Sequence, residues 1–265
     1  MKLIVLIPAF NEEHNIEKTI LGIPRKISGV KKVEVLVIDD GSTDRTTDIA
    51  LNAGADKIVS HGINMGVGAA FMTGIRNAMS MDADIVVTVD ADSQFDTSEI
   101  SRVILPILNK QADMVIGSRF LKSLQNYPKL KLVGNKIFSK IVSYLTSQKF
   151  TDTQTGFRAY SKDALSSISV INEFTYTQEV LIDLKFKGFK IIEVPVKVSY
   201  DSKRKSRVVK NIFNYSGKVL SILIRSMVFH KPILTFAWMG SILCGGGILA
   251  KILTSANIVG ISAGL

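Results

Sequence analysis

Asp84-Ile85-Val86-Val87-Thr88-Val89-Asp90-Ala91-Asp92-Ser93-Gln94 is a β-branched apolar run that ends in two carboxylates and an amide. The apolar half reads as a buried strand. Carboxylates at i and i+2 beyond a strand end project the same way, and Gln94, two residues on, joins them. Uncompensated buried charge is costly, so such a strand end calls for a neutralising partner. A hard divalent cation such as Mg2+ fits, because it takes one or two carboxylates and leaves its other positions to water and phosphate. The alternative is a solvated loop whose Asp residues cap a helix near Thr97.

Outward from this stretch the same pattern recurs. Leu3 to Ile7 predicts a strand stopped by Pro8, followed by Asn11-Glu12-Glu13 and a helix carrying Ile16, Ile20 and Ile23. Val33 to Ile38 predicts a second buried strand that runs into Asp39-Asp40-Gly41-Ser42-Thr43-Asp44, where Ser42 or Asp44 can cap the next helix. Lys57 to Ser60 is a short third strand, and Asn64-Met65-Gly66-Val67-Gly68 opens a helix that reaches about Met81. A helix from Thr97 to Asn109 and a strand from Asp113 to Ile116 come next, leading into Gly117-Ser118-Arg119-Phe120. Strands alternating with helices at this spacing predict an α/β fold with a doubly wound, mostly parallel sheet. Ligands of such sheets sit beyond the carboxyl ends of the strands, where all these turns fall. That convergence favours the cation over the helix cap at Asp90 and Asp92.

The second half reads as a helix from Leu130 to Tyr144, a polar stretch from Thr151 to Tyr160 and a helix from Tyr176 to Lys187. Ile191 to Tyr200 alternates as a strand, and Pro195 within it suggests a sheet edge. Val208 to Phe229 is helical and amphipathic, the pattern of a helix lying on a membrane surface. From Pro232 to Ala250 no charged residue occurs, just long enough to span a bilayer. No signal peptide is visible at the N-terminus. Of the 33 basic residues nine follow Asp201, beyond which no acidic residue remains, so the preceding chain with its 23 acidic residues is close to neutral. Basic charge beside an apolar span marks the cytoplasmic flank of a membrane anchor. Nucleic-acid binding, the other reading of a basic chain, is not expected, because no nucleic-acid motif accompanies the charge. The one cysteine, Cys244, lies inside the apolar span, so no disulfide framework is present.

Pro8-Ala9-Phe10-Asn11-Glu12-Glu13, Asp39 to Asp44, Asp90-Ala91-Asp92-Ser93-Gln94, Gly117-Ser118-Arg119-Phe120 and Gln154-Thr155-Gly156-Phe157-Arg158 occur here in one order. Together they resemble the family 2 glycosyltransferases of GT-A fold, and within it the dolichyl-phosphate mannose synthase and polyprenyl-phosphate glycosyltransferase branch. The resemblance implies a GT-A domain over residues 1–205, a basic juxtamembrane segment over 206–231, a transmembrane helix over 232–253 and a short tail over 254–265. It implies a single-pass protein of the cell membrane with its catalytic domain in the cytoplasm. Pro8, Phe10, Glu12, Val37, Asp39, Asp40, Asp90, Ala91 and Asp92 would line the nucleotide-sugar pocket. Asp90, Asp92 and Gln94 would hold Mg2+ or Mn2+ against the donor diphosphate. Arg119 would bind the phosphate of the acceptor lipid, joined by Lys131, Asn135, Arg204, Ser206 and Arg207. Asn135 stands where the mannose synthases carry Ser, Lys205 where a glycine is usual, and Val67 where a Lys is common.

The reaction implied is inverting transfer of a hexose, with GDP-mannose first among the donors, to dolichyl or polyprenyl monophosphate. The attacking phosphate oxygen is already anionic near neutrality, with a second pKa of about 6. Holding two anions together therefore matters more than a base. Asp92 and Arg119 carry that work, while Asp152 and Glu179 could orient sugar hydroxyls. UDP-glucose and UDP-N-acetylglucosamine are alternative donors. A glycan-extending synthase would carry Gln-x-x-Arg-Trp, but the lone Trp238 lies in the apolar span. A tethered, non-catalytic nucleotide-sugar module is the remaining alternative, disfavoured by the intact acidic pair.

Overall fold

The structure is a computed structural model that describes residues 1–121, 129–168, 176–199, 217, 221, 224–225, 227–229 and 231–262. The chain divides into two compact units, Met1–Val219 and Leu220–Leu265.

The first unit is built on β1 (Lys2–Ala9), β2 (Lys32–Asp39), β3 (Lys57–Ser60), β4 (Ile85–Thr88), β5 (Met114–Ser118), β6 (Arg158–Ser161) and β7 (Ile191–Pro195). They form one sheet in the order β3-β2-β1-β4-β6-β5-β7. All neighbours run parallel except β6, which is antiparallel to both β4 and β5. This is the mostly parallel, doubly wound sheet that the sequence predicts, and β7 is the edge that Pro195 indicates. The connecting helices are α1 (Ile16–Leu21), α2 (Thr46–Asn52), α3 (Val67–Ser80), α4 (Ile100–Leu108), α5 (Lys129–Thr146), α6 (Lys162–Ser167) and α7 (Thr177–Phe186).

Helices cover both faces of the sheet, which is why β1 and β2 are apolar without alternation. Leu3, Val5 and Ile7 share one buried cluster with Ile16 and Ile20 of α1 and Ile100, Val103 and Ile104 of α4. The residue between them, Leu6, points the other way onto α3, where a Cβ at Gly74 would come within 3.0 Å of its Cγ. Gly74 therefore lets α3 lie close against the sheet.

Pro8 does not stop β1, which continues to Ala9. The Leu6 carbonyl accepts from Val89 N on the β4 side, and the Ala9 carbonyl from Asp40 N on the β2 side. Pro8 shares the parity of Leu6, so its missing N–H faces β4 just beyond the end of that strand at Thr88. β6 is the strand that the sequence reading takes for a loop: four residues opening on an Arg give no hydrophobic period to detect. Its reversed direction brings the 151–157 loop to the same sheet end as the turns after β1, β2, β4 and β5.

In the second unit α8 (Pro232–Ser262) is one continuous helix of 31 residues, so helical backbone extends through most of the stretch read as a tail. Its Thr235–Ile252 window has a mean hydropathy of 1.3 and is 6% buried. Ile233, Phe236, Trp238 and Leu243 are all exposed. By length and composition it can cross a membrane.

Candidate active site

The turns after β1 and β2 are laced into one another. Asn11 N donates to Ser42 Oγ at 2.9 Å, Thr43 N returns a bond to Asn11 Oδ1 at 2.8 Å, and Glu12 N donates to Thr46 Oγ1 at 2.8 Å. Asp44, one residue before the N-cap Arg45, accepts from Thr46 N at the start of α2 at 3.0 Å. Asn11 sits at φ 53°, a left-handed conformation costing about 1 kcal/mol that these bonds offset. Glu12 is buried and accepts from Asn15 Nδ2 at 2.8 Å, so a carboxylate is held at the mouth of β1. Asp39, at the end of β2, accepts from Ser42 N at 3.1 Å.

Asp40 faces elsewhere. Its oxygens accept from Met65 N and Gly66 N, both at 2.9 Å, and Oδ1 meets His61 Nδ1 at 2.8 Å. The other ring nitrogen of His61 meets Thr73 Oγ1 at 3.0 Å. Asp40 thus shapes the loop before α3. Val37 is fully buried in the core cluster, on the sheet face shared with α1 and α4. Ala91 is also closed off in that cluster, while Pro8 and Phe10 remain half-buried at the sheet end.

The acidic turn after β4 is pinned to α1. Ser93, at φ 58°, is held by two bonds to α1 and its cap: its Oγ donates to Asn15 O at 2.8 Å and its N donates to Thr19 Oγ1 at 3.2 Å. Gln94 N donates to Asp92 Oδ1 at 3.1 Å, which closes the turn. Asp90 rests against Gly156 of the 151–157 loop, where a Cβ would lie 2.9 Å from its Oδ2 and closer still to Oδ1. The loop is fixed there by Thr88 Oγ1, which donates to Gly156 O at 2.6 Å. Burial and the neighbouring Asp92 push the Asp90 carboxyl up to about 7, against the opposing pull of Arg119 and Arg158. The acidic pair is therefore under-neutralised by the protein itself.

Those residues fit a divalent cation. Two hard oxygen donors belong to one turn, and the Asp90 carboxylate occupies the space that Gly156 leaves. Among the described residues no group of three His, Cys, Asp or Glu forms a site made of protein alone, so water and phosphate would fill the other positions.

Arg119 meets the 151–157 loop at Asp152. Its Nε donates to Asp152 Oδ2 at 2.7 Å and its Nη2 to Oδ1 at 2.8 Å, a two-pronged pair. Asn135 Nδ2 adds a bond to Asp152 Oδ1 at 3.0 Å, and Ser139 Oγ supports Asn135 Oδ1 at 2.9 Å. Burial alone would raise the Asp152 carboxyl, but Arg119 and Asn135 hold it below the usual range. Glu193 of β7 accepts from Thr151 N and Asp152 N at 2.9 Å, fixing the loop from the sheet edge. The guanidinium expected to bind the acceptor phosphate thus grips Asp152, which fixes its orientation.

Of the remaining expected residues, Glu179 is buried in the first turn of α7, and Lys131 belongs to α5 with its side chain outside the described residues. Arg204, Ser206, Arg207 and most of the amphipathic stretch also lie outside the described residues. Sequence reasoning missed Arg158, whose side chain is completely buried. It donates to Thr177 O at 2.5 Å and Thr153 O at 2.8 Å, joining the 151–157 loop to α7. Its position in the Gln154–Arg158 motif was the available signal.

A model described as glycosyl transferase family 2 matches residues 4–169. A relative in Methanococcus voltae, named UDP-N-acetylglucosamine–dolichyl-phosphate N-acetylglucosaminyltransferase, is 36% identical over 217 residues, covering 74% of this chain and 85% of that protein. A Pyrococcus furiosus relative named dolichol-phosphate mannosyltransferase is 30% identical, covering 84% of this chain and 64% of that one. Among solved structures, glucosyl-3-phosphoglycerate synthase of Mycobacterium tuberculosis with Mn2+, UDP and glucosyl-3-phosphoglycerate superposes with a TM-score of 0.64 at 21% identity. The match covers 86% of this chain and 79% of that one, a likeness of fold.

Proposed function

The chain belongs to glycosyl transferase family 2, and from that premise we propose that it transfers a hexose from a nucleotide diphosphate sugar to a polyprenyl (dolichyl) monophosphate. The observation that carries this reading is one loop, 151–157, with Asp90 packed on Gly156 and Arg119 gripped by Asp152. An acidic, cation-seeking group and a fixed guanidinium thus share one support, as a reaction between two phosphorylated molecules requires.

Pro8, Phe10, Glu12 and Asp39 would bound the nucleoside, and Asp90, Asp92 and Gln94 would hold Mg2+ or Mn2+. When bound, the cation neutralises charge developing on the leaving diphosphate. Arg119, kept in place by Asp152 and Asn135, would hold the acceptor phosphate in line with the anomeric carbon. The acceptor oxygen is already ionised, so no side chain need remove its proton, and direct attack inverts the anomeric centre. Arg204, Ser206, Arg207 and Lys131 would add positive charge beside the acceptor. α8 would anchor the protein as a single span, with the basic residues before it keeping the catalytic domain cytoplasmic.

GDP-mannose is the donor placed first. UDP-N-acetylglucosamine is the second reading, favoured by the name of the Methanococcus voltae relative. Full-length protein in membranes should be given each labelled nucleotide sugar with polyprenyl phosphate. The proposal expects organic-extractable label from one donor. Label in a water-soluble glycan, or free sugar alone, contradicts it.

Two further results are expected here. Gly156→Ala places a methyl group against the end of a side chain rather than backbone, so the fold adapts and the Asp90 carboxylate turns away. Mn2+ affinity should fall about tenfold or more, with an unfolding midpoint within a few degrees of wild type. Unchanged affinity would break the link between Gly156 and the cation. The second concerns pH. Because the folded protein holds the Asp90 proton up to about 7, cation binding must displace it below that pH. Affinity should rise about tenfold per pH unit up to 7 and level off above. The metal-free fold should lose stability over the same window, since the unfolded carboxyl ionises at lower pH. Mn2+ titrations from acid to alkaline pH check the slope, and Asp90→Asn should remove it.

A further inference from the structure

Glu193 lies 41 residues beyond Asp152 in sequence, yet the 151–157 loop closes on its carboxylate. Its neighbours Ile192 and Val194 pack against the core cluster on one face of the sheet, so alternation along β7 sends Glu193 to the other face. Thr151 N donates to both of its oxygens at 2.9 Å, Asp152 N to Oε1 at 2.9 Å and Thr151 Oγ1 to Oε2 at 3.0 Å. Each of these partners is a donor, so the group they share must accept only, as an ionised carboxylate does. That requirement sets the direction of a longer chain. Thr151 spends its one hydroxyl proton on Glu193, so in the 2.7 Å contact between Ser118 Oγ and Thr151 Oγ1 the proton comes from Ser118. Ser118 Oγ in turn accepts from Phe120 N at 3.2 Å. Both neighbours of Arg119 are thus oriented from Glu193. So is Asp152, which accepts from Arg119 N at 3.1 Å and from both prongs of its guanidinium. Ser118 and Asp152 are wholly buried.

We propose that Glu193 is a positioning residue for sugar transfer. By holding the Asp152 amide and fixing the direction of the Thr151–Ser118 chain, it sets where the Arg119 guanidinium stands and so how the acceptor phosphate is met. It acts through Asp152 and Ser118, and touches neither substrate. The inference deepens the reading of Arg119 as the clamp on the acceptor phosphate, and rests on it. Glu193→Gln keeps the shape of the side chain but turns one of its two acceptor edges into a donor. An N–H then faces a donor of the loop, and the chain to Ser118 loses its direction. The guanidinium keeps its charge and its partner but is no longer held in one place.

The test uses the full chain in lipid nanodiscs and two readouts. The first is exchange of the Arg119 Nε–H with water, followed by NMR and assigned by its disappearance in Arg119→Lys. Glu193→Gln should speed it about tenfold, with the backbone amides of β1 and β4 unchanged. The second is transfer to polyprenyl phosphate with donor and Mn2+ saturating. Glu193→Gln should lower kcat/KM for the acceptor about tenfold with the donor KM unchanged, and should add less than about a twofold loss when Lys already stands at 119. Thr151→Val keeps both backbone bonds and removes only the hydroxyl link. It should give a smaller shift in the same readouts, and it decides alone if Glu193→Gln does not fold. Unchanged Arg119 exchange in both variants overturns the proposal. So does acceleration shared by β1 and β4, or an equal loss of kcat/KM with Lys at 119, the marks of a merely structural role. If the wild type transfers nothing to polyprenyl phosphate, the acceptor reading falls and the Arg119 exchange still decides the positioning.

Discussion

Replacing Asp92 with Asn should lower sugar transfer by on the order of 10^3-fold while leaving the fold in place. The substitution is close to isosteric, and an Asn oxygen keeps the bond that Gln94 N donates to Asp92 Oδ1, so the turn survives. What disappears is one of two negative charges on a turn whose second carboxyl is already driven toward its protonated form by burial and by Asp92 itself. The remaining Asp90 should become more acidic as its like-charged neighbour is removed, yet one carboxylate cannot replace two in gripping a cation. Initial rates over a range of Mn2+ and Mg2+ concentrations, paired with a circular-dichroism spectrum, check this. A variant that turns over at near wild-type rate in the presence of EDTA would end the metal assignment.

The second large effect is at Arg119, and its reading depends on the partner that the structure reveals. Arg119→Ala would strand the wholly buried Asp152 carboxylate, costing about 3–5 kcal/mol of stability and confounding any loss of activity. Arg119→Lys keeps the charge but loses the planar two-pronged grip on Asp152, so the cation is no longer aimed. We expect kcat/KM for polyprenyl phosphate to fall about 10^2-fold, with the donor KM little changed. Asp152→Asn should produce a milder version of the same pattern, because Arg119 keeps one acceptor there. A loss confined to the donor KM would move Arg119 to the other side of the reaction.

The sheet and the position of its acidic turns were legible because β-branched runs stop at residues with a chemical purpose: Ile38 before Asp39-Asp40, and Val89 before Asp90. The N-cap of α2 is Arg45, while Asp44, one of the two expected caps, bonds Thr46 N from the position before it. Cross-chain relations were not legible. Nothing near Gly156 in sequence announces that Asp90, 66 residues earlier, occupies its missing side chain. Asp39 and Asp40 look equivalent on paper. The alternation of a strand leaving the sheet sends Asp40 to the 61–66 loop, a choice of side that only the position of His61 and α3 discloses. β6 was hidden because Arg158, charged yet entirely buried, breaks the apolar pattern by which buried strands are found. Arg119 is expected from the sequence to meet a ligand phosphate, and Asp152, 33 residues away, gives no sign there of pairing with it.

The central physical claim is that the turn at Asp90 and Asp92 holds a cation against the donor diphosphate, beside a guanidinium held for the acceptor. It is tested most directly by the relaxation that bound Mn2+ imposes on the phosphorus nuclei of a nucleoside diphosphate sugar. In the wild-type protein the account predicts strong, distance-dependent broadening of both donor phosphorus signals, abolished by Asp90→Asn with Asp92→Asn and left in place by Arg119→Lys. Broadening of equal size in the double Asp variant, or none in the wild type despite bound donor, would contradict it.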